Sequence, residues 1–339
     1  MLCYNPVSMK RRKSYSPPFT VSDEAIELVG KITASLERYK IRMEGPDGVR
    51  LRKLNHIRTI HGSTAIEGNT LTLDQVTAVL GGKRIVASKR EIDEVKGAHA
   101  AYACIEAVDP ASQKDLLRVH KLMMENLVAG AGSFRKKPVG VVDGAGNAIH
   151  VAPEAEIVPS LMTALFDWVQ RAKTHALIKS CVFHYEFEFI HPFLDGNGRM
   201  GRYWQTALLG RWNPLFYAVP VENIIYDHQQ EYYLAIRRSS LLGDSCPFVE
   251  FMLDQILKAL LEKGGSTDDV GVNVGVELSA RERDLLELLR RDGSLTAVRI
   301  AETYSISTRQ AERLFASLKG KGLLVRKGSD KRGVWVVKS

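Results

Sequence analysis

Residues 191–202 have the sequence HPFLDGNGRMGR, the stretch on which the fold assignment of this 339-residue chain depends. It combines a histidine, an aspartate, an asparagine between two glycines, and two arginines. Apolar residues at helical spacing precede it over 177–190, and a second helical pattern follows it over 200–212. The stretch is therefore predicted to be a loop that runs into the N-terminus of a helix, within a mainly α-helical fold.

The side chains of this loop suit the chemistry of phosphates. Backbone N–H groups at a helix N-terminus bind anions, and Arg199 and Arg202, three residues apart, lie on roughly one helix face where both can grip phosphate oxygens. Asp195 offers a hard oxygen ligand for a Mg²⁺ ion shared with phosphates. His191 is suited to accept a proton near neutral pH. Together these residues predict a site for phosphoryl or nucleotidyl transfer.

Each short piece of the loop has a structural alternative. A lone His-Pro is usually a turn, and a lone Asp-Gly-Asn-Gly is usually a surface loop. The occurrence of all these pieces in this order, at a helix N-terminus that can bind phosphate, favours a functional site over a chance combination.

The stretch matches the Fic family motif HPFxDGNGRxxR at every fixed position. With its flanking helices and a hairpin, the resemblance extends over roughly residues 95–260. It implies a Fic-type helical core with a β-hairpin flap, which transfers AMP from ATP to a Ser, Thr or Tyr hydroxyl of a target protein or of the chain itself. The implied co-substrate is ATP and the implied metal is Mg²⁺.

The resemblance assigns a role to each residue of the motif. His191 would deprotonate the target hydroxyl, and Asp195 would hold Mg²⁺ between the α- and β-phosphates. Phe193 would anchor the loop in the core. The nucleotide phosphates would be bound by an anion hole and two cations, namely Gly196, Asn197, Gly198, Arg199 and Arg202.

One position of the motif helps to choose the reaction. Relatives that act as kinases carry Lys at the last glycine of the motif, whereas this chain has Gly198. The resemblance therefore favours AMP transfer, and the enzyme would be a protein adenylyltransferase.

Residues 138–151 predict a β-hairpin around the glycine-rich turn 143–147. The hairpin resembles the flap of the family, which aligns a target segment by strand addition. A plain hairpin with Asp143-Gly144 as its turn is an equally open interpretation.

The sequence Ser63-Thr-Ala-Ile-Glu67-Gly68 resembles the inhibitory motif [S/T]xxxE[G/N] of the family. A glutamate paired with Arg202 would occupy the cation meant for the γ-phosphate. Ser63, one helical turn earlier, would support this contact, and Gly68 would let the chain leave the helix. The alternatives are an ordinary Ser and Glu near a helix end, or a bifunctional enzyme in which Glu67 also helps to remove AMP.

The net charge of +8 is concentrated at the two ends of the chain. Residues 10–13 carry four positive charges, and residues 277–339 contain 14 basic and 8 acidic residues. The intervening 14–276 has a net charge of −2. The catalytic body is therefore near neutral, and any electrostatic attraction to nucleic acid would arise at the ends.

Residues 277–339 predict three helices followed by two strands, an order that resembles a winged helix-turn-helix. One hypothesis is DNA binding, and the other is protein docking or homodimer formation. The first makes the chain a DNA-binding regulator with a nucleotide-sensing core. The residues that would face phosphates are Arg309, Arg313, Lys319, Lys327, Lys331 and Arg332.

These patterns predict five segments. Residues 1–20 would be a flexible basic tail, 21–94 an N-terminal helical region with the inhibitory helix, 95–263 the Fic catalytic domain, 264–276 a linker, and 277–339 the winged helix-turn-helix domain.

Four widely spaced cysteines exclude a disulfide framework and a CxxC zinc site. Without a secretory pattern or an apolar run of membrane length, the expected compartment is the cytoplasm, with no membrane partner.

Overall fold

The computed structural model of the chain describes residues 15–142, 148–262, 280–304, 306–320, 324–327 and 334–337. The chain divides into two compact units, Met1–Glu262 and Lys263–Ser339. The fold is mainly helical, as the sequence predicts. Linker residues 264–276 and the basic run at 10–13 lie outside the described residues.

In the first unit, the described residues form eleven α-helices and one pair of antiparallel strands. In chain order they are α1 (Asp23–Glu44), α2 (Gly48–Ala65), α3 (Leu73–Leu80), α4 (Lys89–Tyr102), α5 (Gln113–Met124), β1 (Gly140–Val142), β2 (Ala148–Val151), α6 (Val158–Arg171), α7 (Ala176–Ile190), α8 (Asn197–Trp212), α9 (Val221–Asp227), α10 (Gln229–Leu242) and α11 (Cys246–Leu261).

Local sequence fixes the start and the end of α3. The Thr72 hydroxyl accepts a hydrogen bond from the Gln75 amide at 3.3 Å, and the Gln75 side chain accepts one from the Thr72 amide at 2.9 Å. This reciprocal pair is a capping box. At the other end Gly82 has φ +73, a left-handed conformation that glycine adopts without strain.

Helix α7 is the central helix of the first unit. Almost every side chain along it is buried, so it lacks a polar face. Phe189 is an exception, because it is 38% exposed. A helix that is buried on all sides must be enclosed by its neighbours, and α6, α8 and α11 all contact it.

Residues 15–20 correct the predicted flexible tail over 1–20. Phe19 packs edge to face on Trp168 at 6.0 Å, and the Pro18 carbonyl accepts a hydrogen bond from the Ser245 amide at 3.0 Å. The Tyr15 hydroxyl donates to Glu186 at 2.5 Å. Two aromatic side chains therefore attach this arm to the core, although its prolines suggest a loose segment.

The second unit contains α12 (Ala280–Arg291), α13 (Ala297–Tyr304) and α14 (Thr308–Gly320), followed by β3 (Leu324–Lys327) and β4 (Val334–Val337). The strands pair antiparallel, with Leu324 opposite Val337. A small core joins helices and strands through Leu285, Ile300, Phe315, Leu318 and Leu324.

Only one of the six basic residues predicted to face phosphates can be placed in the described part of this unit. Lys319 is exposed. Lys331 and Arg332 lie outside the described residues, as do the side chains of the other three, Arg309, Arg313 and Lys327.

Among the described residues, no helix is long and apolar enough to cross a membrane.

Candidate active site

His191 lies where α7 ends and the loop begins. Its backbone is left-handed (φ +50), a conformation that no other described residue except glycine adopts. Such a conformation costs about 1 kcal/mol for a residue with a side chain, so the surrounding contacts must hold it. Its amide donates to the Phe187 carbonyl at 2.9 Å, and its side chain is 17% exposed. The turn thus places the imidazole at the edge of the core, accessible from outside.

Asn197 closes the loop on itself. Its side-chain oxygen accepts from the Phe193 amide at 2.8 Å, and its side-chain nitrogen donates to the Phe193 carbonyl at 2.9 Å. Phe193 is fully buried, as expected for an anchor. The Asn197 side chain therefore shapes the loop, and its backbone N–H is the part that can serve an anion hole.

Helix α8 begins at Asn197, three residues earlier than the sequence pattern predicts. The amides of Asn197, Gly198 and Arg199 consequently belong to the first helical turn, where N–H groups lack intrahelical acceptors. Gly196 precedes them with φ +83, and a Cβ there would come within 2.7 Å of the Met124 sulfur. The loop needs glycine at 196 for both its backbone angle and its packing.

Arg199 and Arg202 are buried at the base of this helix turn. Each residue is only 2% exposed. Arg199 makes one long contact, 3.4 Å from Nη2 to the Asp195 Oδ1, and its Nε and Nη1 have no hydrogen-bond partner among the described residues. Arg199, Arg202 and the first-turn amides of α8 together form a basic cradle. Because buried guanidinium N–H groups are normally paired, the Nε and Nη1 of Arg199 could donate to an anion bound there.

Arg202 is already paired. Its Nη2 donates to the Glu67 Oε1 at 2.7 Å and to the backbone carbonyl of Ser63 at 3.0 Å. The sequence predicts support from Ser63, but the atom that meets Arg202 is the carbonyl oxygen rather than the hydroxyl. Residue 63 is in the last turn of α2, where backbone carbonyls lack intrahelical donors and accept such bonds readily.

Glu67 stays ionised near neutral pH. Burial alone would raise its pKa, but the charges of Arg202, Arg199 and His191, with the Arg202 hydrogen bond, lower it below the usual value. Gly68 follows with φ +92, so the chain turns away directly after the glutamate.

Gly198 lies directly against this ion pair. A Cβ at residue 198 would collide with the Glu67 Oε1 and approach the Arg202 Nη1 to 3.0 Å. Glutamate and arginine can meet here because residue 198 has no side chain.

Asp195 is at the open side of the cradle, with its side chain 37% exposed. One of its oxygens accepts from the Gly196 amide at 2.6 Å, and the other lies 3.4 Å from the Arg90 Nη2. No group of three His, Cys, Asp or Glu side chains capable of holding a metal occurs among the described residues. A single accessible carboxylate beside a phosphate cradle fits a Mg²⁺ ion that is held partly by the nucleotide, and not one enclosed by protein ligands.

Two residues that support the loop are not predicted from the sequence. His120 stacks on Phe193 with ring centroids 3.6 Å apart, and its Nε2 lies 3.0 Å from the Asp195 carbonyl oxygen. Arg135 is 2% exposed and donates to the carbonyls of His191 at 2.7 Å and of Pro153 at 2.5 Å. Neither residue belongs to a motif, and each acts on residues more than 15 positions away in the chain.

Arg135 also links the loop to the strand pair. Its other acceptors are the carbonyls of Lys137 at 3.1 Å and Ile190 at 3.3 Å. Lys137 lies just before β1 and Pro153 just after β2, which pair antiparallel with Val141 opposite His150. One guanidinium therefore joins both ends of the hairpin to the backbone of His191.

Substitution of Arg135 by Ala is expected to lower the free energy of unfolding by about 3 kcal/mol, because four buried or partly buried carbonyls would lose a charged donor. Chemical denaturation measures this loss. Arg171→Ala is the matched control, since that arginine is exposed and donates only to a carbonyl of its own helix. Equal stability of the two variants would contradict the assigned role of Arg135.

Comparison with known proteins yields a consistent set of similarities. The family model described as Fic/DOC family matches residues 110–209. The crystal structure of a Fic family protein from Desulfovibrio desulfuricans G20 is 38% identical, with a TM-score of 0.72, and the match covers 96% of this chain and 98% of that one.

Curated relatives share part of their length with this chain. Protein adenylyltransferase Fic of Culex quinquefasciatus is 32% identical over 217 residues, which are 60% of this chain and 41% of that protein. Protein adenylyltransferase Fic of Nematostella vectensis is 29% identical over 214 residues, 60% of this chain and 47% of that protein. The chain thus spans less than half the length of these curated relatives.

Proposed function

Because this chain belongs to the Fic/DOC family, we propose that it is a protein adenylyltransferase, which transfers AMP from ATP to a hydroxyl side chain of a protein. The observation that carries the proposal is the cradle at the start of α8. There the buried Arg199 has donors without a hydrogen-bond partner, next to the amides of the first α8 turn. The same loop carries His191, whose side chain is 17% exposed, and the accessible carboxylate of Asp195. The names of the curated relatives support the same reaction.

In the proposed reaction the target hydroxyl oxygen attacks the α-phosphorus of ATP. A bond forms between that oxygen and phosphorus, the bond to the bridging oxygen of the β-phosphate breaks, and pyrophosphate leaves. His191 accepts the hydroxyl proton. Arg199, Arg202 and the amides of the first α8 turn stabilise the charge on the phosphates.

Asp195 is the residue proposed to hold Mg²⁺, together with the nucleotide. When bound, the ion would neutralise phosphate charge as pyrophosphate departs.

Glu67 is proposed to be a brake on this reaction. Its 2.7 Å pair with Arg202 takes up the cation that the γ-phosphate would need. ATP can then bind only in an arrangement that leaves the α-phosphate poorly placed for attack. Inhibition would be relieved by any event that removes the Glu67 carboxylate from Arg202.

The strand pair β1–β2 is proposed to be the flap that receives the target. Arg135 ties both its ends to the His191 backbone, so a segment aligned by β1 or β2 would lie at a fixed place relative to the imidazole. The second unit is proposed to be a winged helix-turn-helix, on the basis of three helices followed by an antiparallel pair.

The reaction class is tested with ATP labelled at either the α- or the γ-phosphate. Glu67→Gly protein is incubated with each nucleotide, Mg²⁺ and a lysate, and proteins are separated to detect the label. We expect label from the α-position on a lysate protein or on the chain itself, and none from the γ-position.

The opposite results identify the competing functions. Label from the γ-position would indicate a kinase. Absence of label from either position, combined with DNA binding that is lost when Arg309 and Arg313 are replaced, would favour a regulator with a nucleotide-sensing core. Label that is gained and then lost again from a purified target would indicate the bifunctional enzyme.

A further inference from the structure

Glu188 occupies a buried position directly behind His191. It lies one turn earlier on α7, and its side chain is 9% exposed. Its Oε2 is 3.9 Å from the His191 Nδ1, and its Oε1 is 3.8 Å from the Nε2 of His184. The carboxyl group is thus enclosed between two imidazoles, of which only His191 is at the edge of the site.

The packing of α7 on α8 provides room for this carboxyl group. Gly201 faces it from α8, and a Cβ there would come within 2.8 Å of the Glu188 Oε1 and of the His184 ring. Glycine at 201 therefore permits the two helices to approach with an acidic side chain between them.

Glu188 contributes little to holding the fold. Its Oε1 has no hydrogen-bond partner among the described residues. His184 is not a charged partner for it, because burial lowers the pKa of that imidazole to about 3, and its nitrogens already contact Gln205 and Tyr232. A buried carboxyl oxygen without a hydrogen bond is destabilising, so packing alone does not account for a glutamate here.

Several other groups influence the charge of Glu188. Burial raises its pKa to about 8, the charge of Arg202 acts to lower it, and the charge of Glu67 acts to raise it. Tyr232 and Tyr233 of α10 also interact electrostatically with it. Of the groups around it, His191 is the one whose charge changes in the proposed reaction.

We propose that Glu188 is the positioning residue of the catalytic histidine: its carboxylate orients the ring through Nδ1 and stabilises the imidazolium that forms during AMP transfer. In this arrangement Nδ1 carries a proton toward Glu188, and Nε2 presents its lone pair to the target hydroxyl. The hydroxyl proton moves to Nε2, and the resulting positive charge is balanced by the carboxylate. The inference rests on the proposed function for its chemical context.

The test compares Glu188→Gln and Glu188→Asp, both in the Glu67→Gly background, with Glu186→Gln as the matched control. Glu186 is also a buried carboxyl group on α7, but it is bonded to Tyr15 on the N-terminal arm. We expect Glu188→Gln to lower kcat on the order of 10- to 100-fold with little change in the KM for ATP. Glu188→Asp should restore part of the loss, and Glu186→Gln should leave the rate unchanged.

The pH profile separates positioning from a structural role. Since the carboxylate form is the active one, the rate of the Glu188-containing enzyme should rise as this group ionises, at a pH below 8 because the Glu67→Gly background lacks the charge that helps to raise its pKa. Glu188→Gln should lose that rise, while Glu186→Gln should retain it. A Glu188→Gln variant with an unchanged pH profile, or with reduced thermal stability and reduced ATP binding in parallel with kcat, would overturn the proposal.

A measurement without turnover distinguishes this inference from the proposed function. Ring-nitrogen NMR follows the protonation of His191, whose signal is identified by its absence in His191→Asn protein. The ring and the carboxyl group of Glu188 titrate as a coupled pair, in which the ionised carboxylate retains the ring proton. In Glu188→Gln the titration midpoint of this ring should therefore move to lower pH. An unchanged midpoint overturns the role of Glu188, whereas a shifted midpoint in a protein that never transfers label overturns only the adenylyltransferase.

Discussion

Glu67→Gly protein is expected to transfer AMP faster than the unchanged chain, on the order of 10- to 100-fold. The physical reason is the pair between Glu67 and Arg202, in which the carboxylate lies 2.7 Å from a guanidinium of a residue that is 2% exposed. Removal of the carboxylate would free Arg202 for the γ-phosphate. The measurement is the initial rate of incorporation of α-labelled AMP at saturating ATP and Mg²⁺.

Two variants sharpen this experiment. Glu67→Gln keeps the shape and an acceptor oxygen but removes the charge, and its rate should lie between those of the unchanged chain and Glu67→Gly. Glu44→Gly changes an exposed glutamate at the end of α1 and should have no effect. Activity of Glu67→Gly equal to that of the unchanged chain would contradict the inhibitory role of Glu67. Equal activation by Glu44→Gly would show that the effect is not specific to Glu67.

Loss of His191 is expected to slow AMP transfer by about 10²- to 10⁴-fold in the Glu67→Gly background, since that range is typical of a general base. His191→Ala removes the imidazole, but it also places Ala in a left-handed conformation. His191→Asn is the better probe, because asparagine tolerates this conformation and has no basic nitrogen. Both variants should bind ATP as tightly as their parent, since the cradle of arginines and amides is intact.

The readouts are single-turnover labelling and ATP binding, measured on the same preparations. A His191→Asn protein that retains most of the labelling rate would exclude proton transfer by this residue. Loss of ATP binding together with labelling would instead assign His191 a part in holding the loop.

The sequence predicts those features of the site that depend on neighbouring residues. The HPFLDGNGRMGR loop and the turn after Glu67 are both local: the structure has a loop that runs into α8, and a left-handed Gly68 directly after the glutamate. The sequence pattern predicts the start of α8 three residues too late, because glycine and asparagine have low helix propensity, although they suit the first turn of this helix.

Features that depend on distant contacts are absent from the sequence analysis. Arg135 and His120 reach the loop across 56 and 75 positions of the chain, and no periodicity reports such a meeting. Glu188 is adjacent to the motif, but its significance depends on Gly201 of the facing helix. The contacts of residues 15–20 are not predicted for the same reason, because Phe19 packs on Trp168, which is distant in the chain.

The absence of a side chain at residue 198 has a consequence for how this chain can diverge. The carboxylate of Glu67 occupies the space that any larger residue at 198 would need. The lysine found there in kinase-like relatives therefore could not be acquired while Glu67 keeps its place. A lysine at 198 would displace the Glu67 carboxylate from its contact with Arg202, so this one substitution would change the phosphate site and release the proposed brake together.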